Sequence, residues 1–314
     1  MKDRTKLKSA LLVMLAGILW GSTGVFVRPL EGKGLGSTDI VFLKLLITAI
    51  IMAAVLLIKD RKLFRIRLKD LWCFVGTGIF SIVFFSVCYY KTIAVSSMSI
   101  SAILLYTAPA FVILLSALLF KERLTKRRIL ALALAFTGLV FVTGVLGGGD
   151  RLTFGVLLTG LGSGLGYGLY SIFGRYALER GYDPLTINFY TFLLAAISSG
   201  LISSPGRVLA MMTGSAGNLA LSVAFAVIVS VMPFLVYTIG LKNLENGQAA
   251  IIASIEPVVA TLLGIIFFRE KMTVSILTGS VLVLAGILVS NLPARNAVQL
   301  NDDQKRTTDN GREQ

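Results

Sequence analysis

Apolar runs of about 20 residues, divided by short polar strips, recur along nearly the whole chain. A bilayer hydrocarbon core is about 30 Å thick, and a helix rising 1.5 Å per residue crosses it in about 20 apolar residues. Ten runs fit that length: residues 9–27, 38–58, 71–90, 98–120, 129–146, 153–170 or a turn beyond, 185–203, 219–240, 247–268 and 274–291. The pattern predicts an all-α polytopic membrane protein of ten transmembrane helices and excludes a soluble domain. Residues 293–314 are polar, with no large apolar side chain after Leu300, and are expected to form a disordered cytoplasmic tail. The first run has a basic leader, but no small-residue cleavage site follows it, so it reads as a retained span.

Charge fixes the orientation. Among 314 residues there are 30 Lys and Arg against 16 Asp and Glu, an excess that in a soluble protein points to nucleic acid. Here the basic residues stand at the ends of apolar runs, where they mark the cytoplasmic side. With the amino terminus inside, the first half places fifteen Lys and Arg in the cytoplasm, from Lys2 to Arg128, and only Arg28, Lys33 and Lys91 outside. Both termini are therefore expected in the cytoplasm, with an even number of spans across the plasma membrane. The second half is more balanced, with Arg269 and Lys271 placed outside. Cys73 and Cys88 share one run, roughly 22 Å apart along a helix, too far to bridge. The chain has no His, which removes imidazole zinc sites, Ser-His dyads and imidazole proton relays. No metal, cofactor or nucleic acid is expected.

The sequence also repeats itself at an offset of about 148 residues. Pro109 matches Pro257, Phe120 matches Phe268, and Lys121-Glu122-Arg123-Leu124-Thr125 matches Arg269-Glu270-Lys271-Met272-Thr273. Gly138 matches Gly286, Tyr89 matches Tyr237 and Ala102 matches Ala250. At the start of each half the offset is 147, with Gly17, Trp20, Gly21 and Arg28 facing Gly164, Tyr167, Gly168 and Arg175. The expected organisation is a first five-span repeat over residues 1–146, a linker at 147–152, a second five-span repeat over 153–292 and the tail at 293–314. An odd number of spans per copy turns the second copy upside down. Inverted repeats of this kind build many secondary transporters, with the substrate site near the midplane where the halves meet.

These residues resemble the drug/metabolite transporter superfamily, and within it the ten-span proteins built from two EamA domains. The resemblance rests on the paired Pro, apolar run and Phe-Lys-Glu-Arg-Leu-Thr or Phe-Arg-Glu-Lys-Met-Thr segments, on Leu19-Trp20-Gly21, and on Glu256-Pro257. It covers nearly all of residues 9–291. It implies an export or exchange carrier for small metabolites, such as amino acids, nucleotide precursors or toxic organic compounds, working by alternating access. Members often carry Arg near the middle of the second span; Lys44 here keeps the charge without the planar fork.

Charged residues inside spans mark a pathway by default. Glu256 lies about 14 Å into the ninth run, near the midplane, directly before Pro257, which removes a backbone hydrogen bond and favours a kink. It is a counter-ion for a cationic substrate group, a proton site for coupling, or a structural carboxylate. Pro109 and Pro257 are the candidate hinges. Lys44 sits about 9 Å from the outer end of the second run and either snorkels to the interface, the favoured reading, or binds an anionic group. Arg28, Lys91 and Arg175 stand at run ends and read as snorkelling. Glu122 and Glu270 read as structural, pairing with Arg123 or Lys271 or capping the following helix. Trp20 and Tyr106 are too deep for an interfacial belt, and with Tyr89, Tyr167 and Tyr237 complete the candidate substrate-binding set, offering ring faces and hydroxyls.

Two motifs have an enzymatic look. Gly160, Gly162, Gly164, Gly166 and Gly168 alternate in the sixth run, which favours close helix packing or a hinge; without a preceding strand or a Lys-Ser/Thr ending it is no phosphate loop. Residues 147–150 spell the Gly-x-Gly-Asp of intramembrane aspartyl proteases, but fall in the linker, and no run interior holds a second Asp. The expected protein is therefore a non-enzymatic secondary-active carrier of a small organic metabolite such as an amino acid or amine, with protons as the candidate coupling ion and a passive channel or facilitator as the alternative.

Overall fold

The computed structural model describes residues 2–96, 98–143, 153–269 and 272–291, so the linker at 147–152, Glu270, Lys271 and the tail lie outside the described residues. Every described element is helical: α1 (Lys2–Gly21), α2 (Thr23–Glu31), α3 (Ser37–Lys59), α4 (Leu71–Val75), α5 (Phe84–Val95), α6 (Met98–Leu105), α7 (Ala108–Phe120) and α8 (Lys126–Val142) in the first half. The second half holds α9 (Phe154–Glu179), α10 (Pro184–Gly200), α11 (Pro205–Thr213), α12 (Ala216–Ala226), α13 (Met232–Leu241), α14 (Asn246–Ala253), α15 (Glu256–Phe268) and α16 (Val274–Asn291). Two π turns, Gly76–Val83 and Val227–Val231, join α4 to α5 and α12 to α13 into single long helices.

Among the described residues, eight helices are long and apolar enough to cross a bilayer, or nine if α10 and α11, bent by 110°, count as one. The expected ten is thus not met in full. Helix α8 is described over 17 residues, and the end of its expected run, residues 144–146, lies outside the described residues. Leu118, Leu158, Ile266 and Leu288 stay exposed on the outer surface, where lipid rather than water is the matching solvent.

Helix starts follow local chemistry. Thr153, Asp183 and Ser215 each accept a hydrogen bond from a backbone N–H of the first turn of α9, α10 and α12, satisfying donors that the helix leaves free. Helices α7 and α15 end on Lys121 and Arg269, the only non-Gly residues with positive φ among the described residues, at 56° and 55°. These are the same position in the two copies, so the repeated Lys-Glu and Arg-Glu segments encode one left-handed helix stop.

Prolines open both central spans. Pro109 and Pro257 stand in the first turn of α7 and α15, just after the breaks that separate α6 from α7 and α14 from α15. A proline nitrogen carries no hydrogen, so the carbonyls of Leu105 and Ala253, one turn earlier, lose their helical donors. Glycines of the opposite half lie against both. A methyl on Gly17 would stand 2.9 Å from the Ala253 oxygen, and one on Gly164 would stand 3.1 Å from the Leu105 oxygen. One turn on, Gly21 and Gly168 approach the carbonyls of Glu256 and Ala108 in the same way, at 2.8 and 3.3 Å.

The outer pair α8 and α16 repeats that exchange. A methyl on Gly138 would meet the Gly279 oxygen at 2.5 Å and the Val283 nitrogen at 2.7 Å, and one on Gly286 would meet the Ala131 oxygen at 2.7 Å and the Ala135 nitrogen at 3.0 Å. Shifting each residue by the repeat offset turns one set of contacts into the other. The two helices run antiparallel, so the operation is a local two-fold axis perpendicular to them, in the membrane plane, as inverted copies require. The glycines of α9 serve packing on two faces: Gly160, Gly164 and Gly168 lie against α6 and α7, while Gly162 and Gly166 lie against α5.

Polar ties close both ends. On one side Asp39 accepts from the Ser204 backbone N–H at 2.8 Å and from Arg207 at 3.1 Å. On the other, Asp70 accepts from Tyr182 at 2.7 Å and pairs with Arg180 at 3.3 Å. Glu122 differs from expectation. Its carboxylate accepts from the Asn246 N–H at 2.8 Å and the Gly247 N–H at 3.4 Å and pairs with Arg128, not Arg123. It caps α14 in the other half, because the left-handed turn at Lys121 aims it across the interface. Arg128 also binds Glu245. The end-of-run arginines likewise hold protein groups as well as any interface: Arg28 lies 3.8 Å above the Phe268 ring, and Arg175 donates to the Leu241 carbonyl at 2.7 Å. Replacing Gly138 or Gly279 by Val is expected to force α8 from α16 and to destabilise the protein by about 1–3 kcal/mol or more; a melting temperature in detergent unchanged from the parent would contradict this interface.

Candidate functional site

A partly open cavity lies between the halves, lined by α1, the first π turn and α5, the α6–α7 and α14 breaks, α9 and α13. Of the expected residues, Trp20, Tyr106, Tyr167, Tyr237 and Pro109 line it. Trp20 is the hub of the wall: its ring lies 5.0 Å from Phe234, 5.3 Å from Tyr237 and 6.1 Å from Tyr167, the first and last edge-to-face. Phe85 meets Tyr167 at 5.6 Å, nearly perpendicular. Such tilted pairs lock ring positions and leave faces toward the space between them.

Glu256 stands directly behind this wall. The Tyr167 hydroxyl donates to its Oε2 at 2.9 Å, and Tyr89, Tyr106 and Lys44 all lie within electrostatic reach of the same carboxylate. As the first residue of α15, ten residues from the start of α14, Glu256 also sits at a helix N-terminus, where peptide dipoles favour a negative charge. Lys44 departs from the favoured expectation of snorkelling. Its ammonium lies 6.0 Å from the centre of the Phe225 ring, and that ring is fully buried. The side chain therefore turns inward, drawn by a ring face and an opposite charge rather than by the interface. Pro257 lines a neighbouring smaller cavity of about 260 Å³ with Tyr106, Pro109 and Ser254.

Further polar groups close the wall. Ser171 and the Tyr237 hydroxyl are 2.7 Å apart. Tyr170 contacts Thr238 at 2.7 Å, and Asn188 donates to that Thr238 at 3.2 Å. Sequence reasoning left Ser81, Phe85, Ser171 and Phe234 out of the expected set. Helical spacing carried a signal for two of them, since Ser171 lies one turn after Tyr167 and Phe234 one turn before Tyr237. No group of three or more metal-ligating side chains forms among the described residues.

Residues 7–144 and 153–292 each match the model of the EamA-like transporter family. The chain belongs to that family. It is similar to an "uncharacterized transporter" of Archaeoglobus fulgidus, 30% identical over 279 residues and covering 88% of this chain and 94% of the relative. It is also 25% identical to the "uncharacterized transporter YyaM" of Bacillus subtilis, over 71% of this chain and 74% of that one. One solved crystal structure shares the fold with a TM-score of 0.76 at 18% identity, over 92% of this chain and 98% of that chain. The protein is thus a multi-pass, all-helical membrane protein of a transporter family. If the aromatic wall holds the solute, Trp20→Ala and Tyr106→Ala should each cut transport at least tenfold at unchanged expression; parental rates in either variant would remove that side chain from the site.

Proposed function

We propose that the protein is a secondary-active exporter or exchanger of a small organic cation or zwitterion, such as an amine or amino acid, that binds in the aromatic cavity with Glu256 as its counter-ion. The observation that carries this reading is the carboxylate held just behind the wall of a mostly apolar cavity by the Tyr167 hydroxyl, which lies 2.9 Å from it. A buried charge is costly and is retained where a partner charge visits it. Ring faces of Trp20, Tyr167 and Tyr237 add attraction for a cation, about 0.5–2 kcal/mol per good contact. Lys44 balances Glu256 when the cavity holds no cation. A proton on the carboxylate and a cation beside it exclude each other, which couples solute movement in one direction to protons in the other.

The two repeats, residues 1–146 and 153–292, act as the two rocking halves, with the breaks at Pro109 and Pro257 as hinges. Broken helices near the midplane concentrate bending where backbone hydrogen bonds are already missing. Both termini and the tail at 293–314 lie in the cytoplasm, and the protein resides in the plasma membrane. The test is counterflow in proteoliposomes loaded with an amine. Native protein should accumulate labelled amine against the unlabelled pool in a saturable manner, and Glu256→Gln should abolish this. Unsaturable flux would mean a passive pore; parental counterflow in Glu256→Gln would overturn the counter-ion role.

A further inference from the structure

Two side chains of the cavity wall carry buried polar atoms with no hydrogen-bond partner among the described residues: the Trp20 indole nitrogen and the Ser81 hydroxyl. Trp20 is 7% exposed and Ser81 is 1% exposed. An unpartnered buried donor loses the hydrogen bond that water would give it, so its presence in a native fold asks for an explanation. Neighbouring serines show what is missing. Ser86, Ser163 and Ser222 each return the hydroxyl to a carbonyl about one turn back, at 2.6–2.8 Å. Ser81 lies within the π turn Gly76–Val83, and π turns of this kind gather at functional sites. Ser96, Ser116, Ser230, Asn246 and Ser290 also carry buried side-chain atoms without partners, yet none of them lines either cavity.

We propose that the Ser81 hydroxyl and the Trp20 N–H form a specificity subsite that binds an acceptor oxygen of the transported solute. The ligand class is then a small apolar amine that also bears a carbonyl or carboxylate oxygen. This rests on the reading that the cavity binds a cation at Glu256, and adds a second, uncharged recognition point in the same space. The indole N–H can only donate, and the hydroxyl can donate as well, so the subsite favours an acceptor and rejects a solute that leaves both donors bare.

Titration of purified native protein with matched probes tests the subsite: 2-phenylethylamine against phenylalanine amide, and isobutylamine against valine amide. Within each pair the molecules differ by one carboxamide. The amide is expected to bind at least tenfold more tightly in at least one pair, and Ser81→Ala and Trp20→Phe should each bring the ratio toward one. Because the Ser81 hydroxyl has no partner to lose, Ser81→Ala should melt at or above the parental temperature. Equal binding of amine and amide by native protein overturns the subsite and leaves the cation reading intact. A ratio unchanged in both variants also overturns it, as does a lowered melting temperature in Ser81→Ala, which would reveal a structural bond. Failure of all four probes to bind overturns both readings.

Discussion

Two prolines within apolar spans create the constraint around which the rest is arranged. Each leaves a backbone carbonyl without its helical donor inside an apolar span, where such a group needs protein or a polar cavity against it. Only a helix without side chains at the contact can come close enough, and Gly17 and Gly164 supply that approach from opposite halves. The crossing of α1 over one break and α9 over the other follows. So does the pseudo-two-fold axis, because each half provides both the broken helix and the glycine face that covers its counterpart.

Upon that symmetric frame the chemistry is one-sided. The repeat position of Glu256 is Ala108, and that of Ser254 is Tyr106, while Trp20 is answered by Tyr167. The cavity between the halves therefore has a carboxylate behind one wall and a phenol in place of a small hydroxyl on the other. A frame that is nearly equivalent in its two orientations thus encloses a binding surface that is not, and a solute meets different neighbours on the two halves.

The helical class, the duplication and the deep aromatic residues were legible because each leaves a periodic or repeated mark on the sequence. Pro109 and Pro257 marked the breaks, although the chain is interrupted there rather than merely kinked. Lys44 was misread because rise per residue gives depth but not azimuth, and only packing shows that its ammonium faces Phe225. Glu122 was assigned a local cap for the same reason: the left-handed turn that aims it at α14 involves Lys121, a residue type that seldom adopts positive φ. Ser81 carried no signal at all, since a π turn is not encoded by any spacing in the run Gly76–Val83.

The cap from Glu122 onto α14 has a consequence for the chain as a folding unit. The start of the ninth span draws its hydrogen bonds from the first half, and the carbonyl freed by Pro109 is covered by a glycine of the second. A gene fragment encoding either half would yield a polypeptide with bare peptide groups inside lipid. Each copy here amounts to half of a fold, and the covalent joining of the two means that neither is made without its complement.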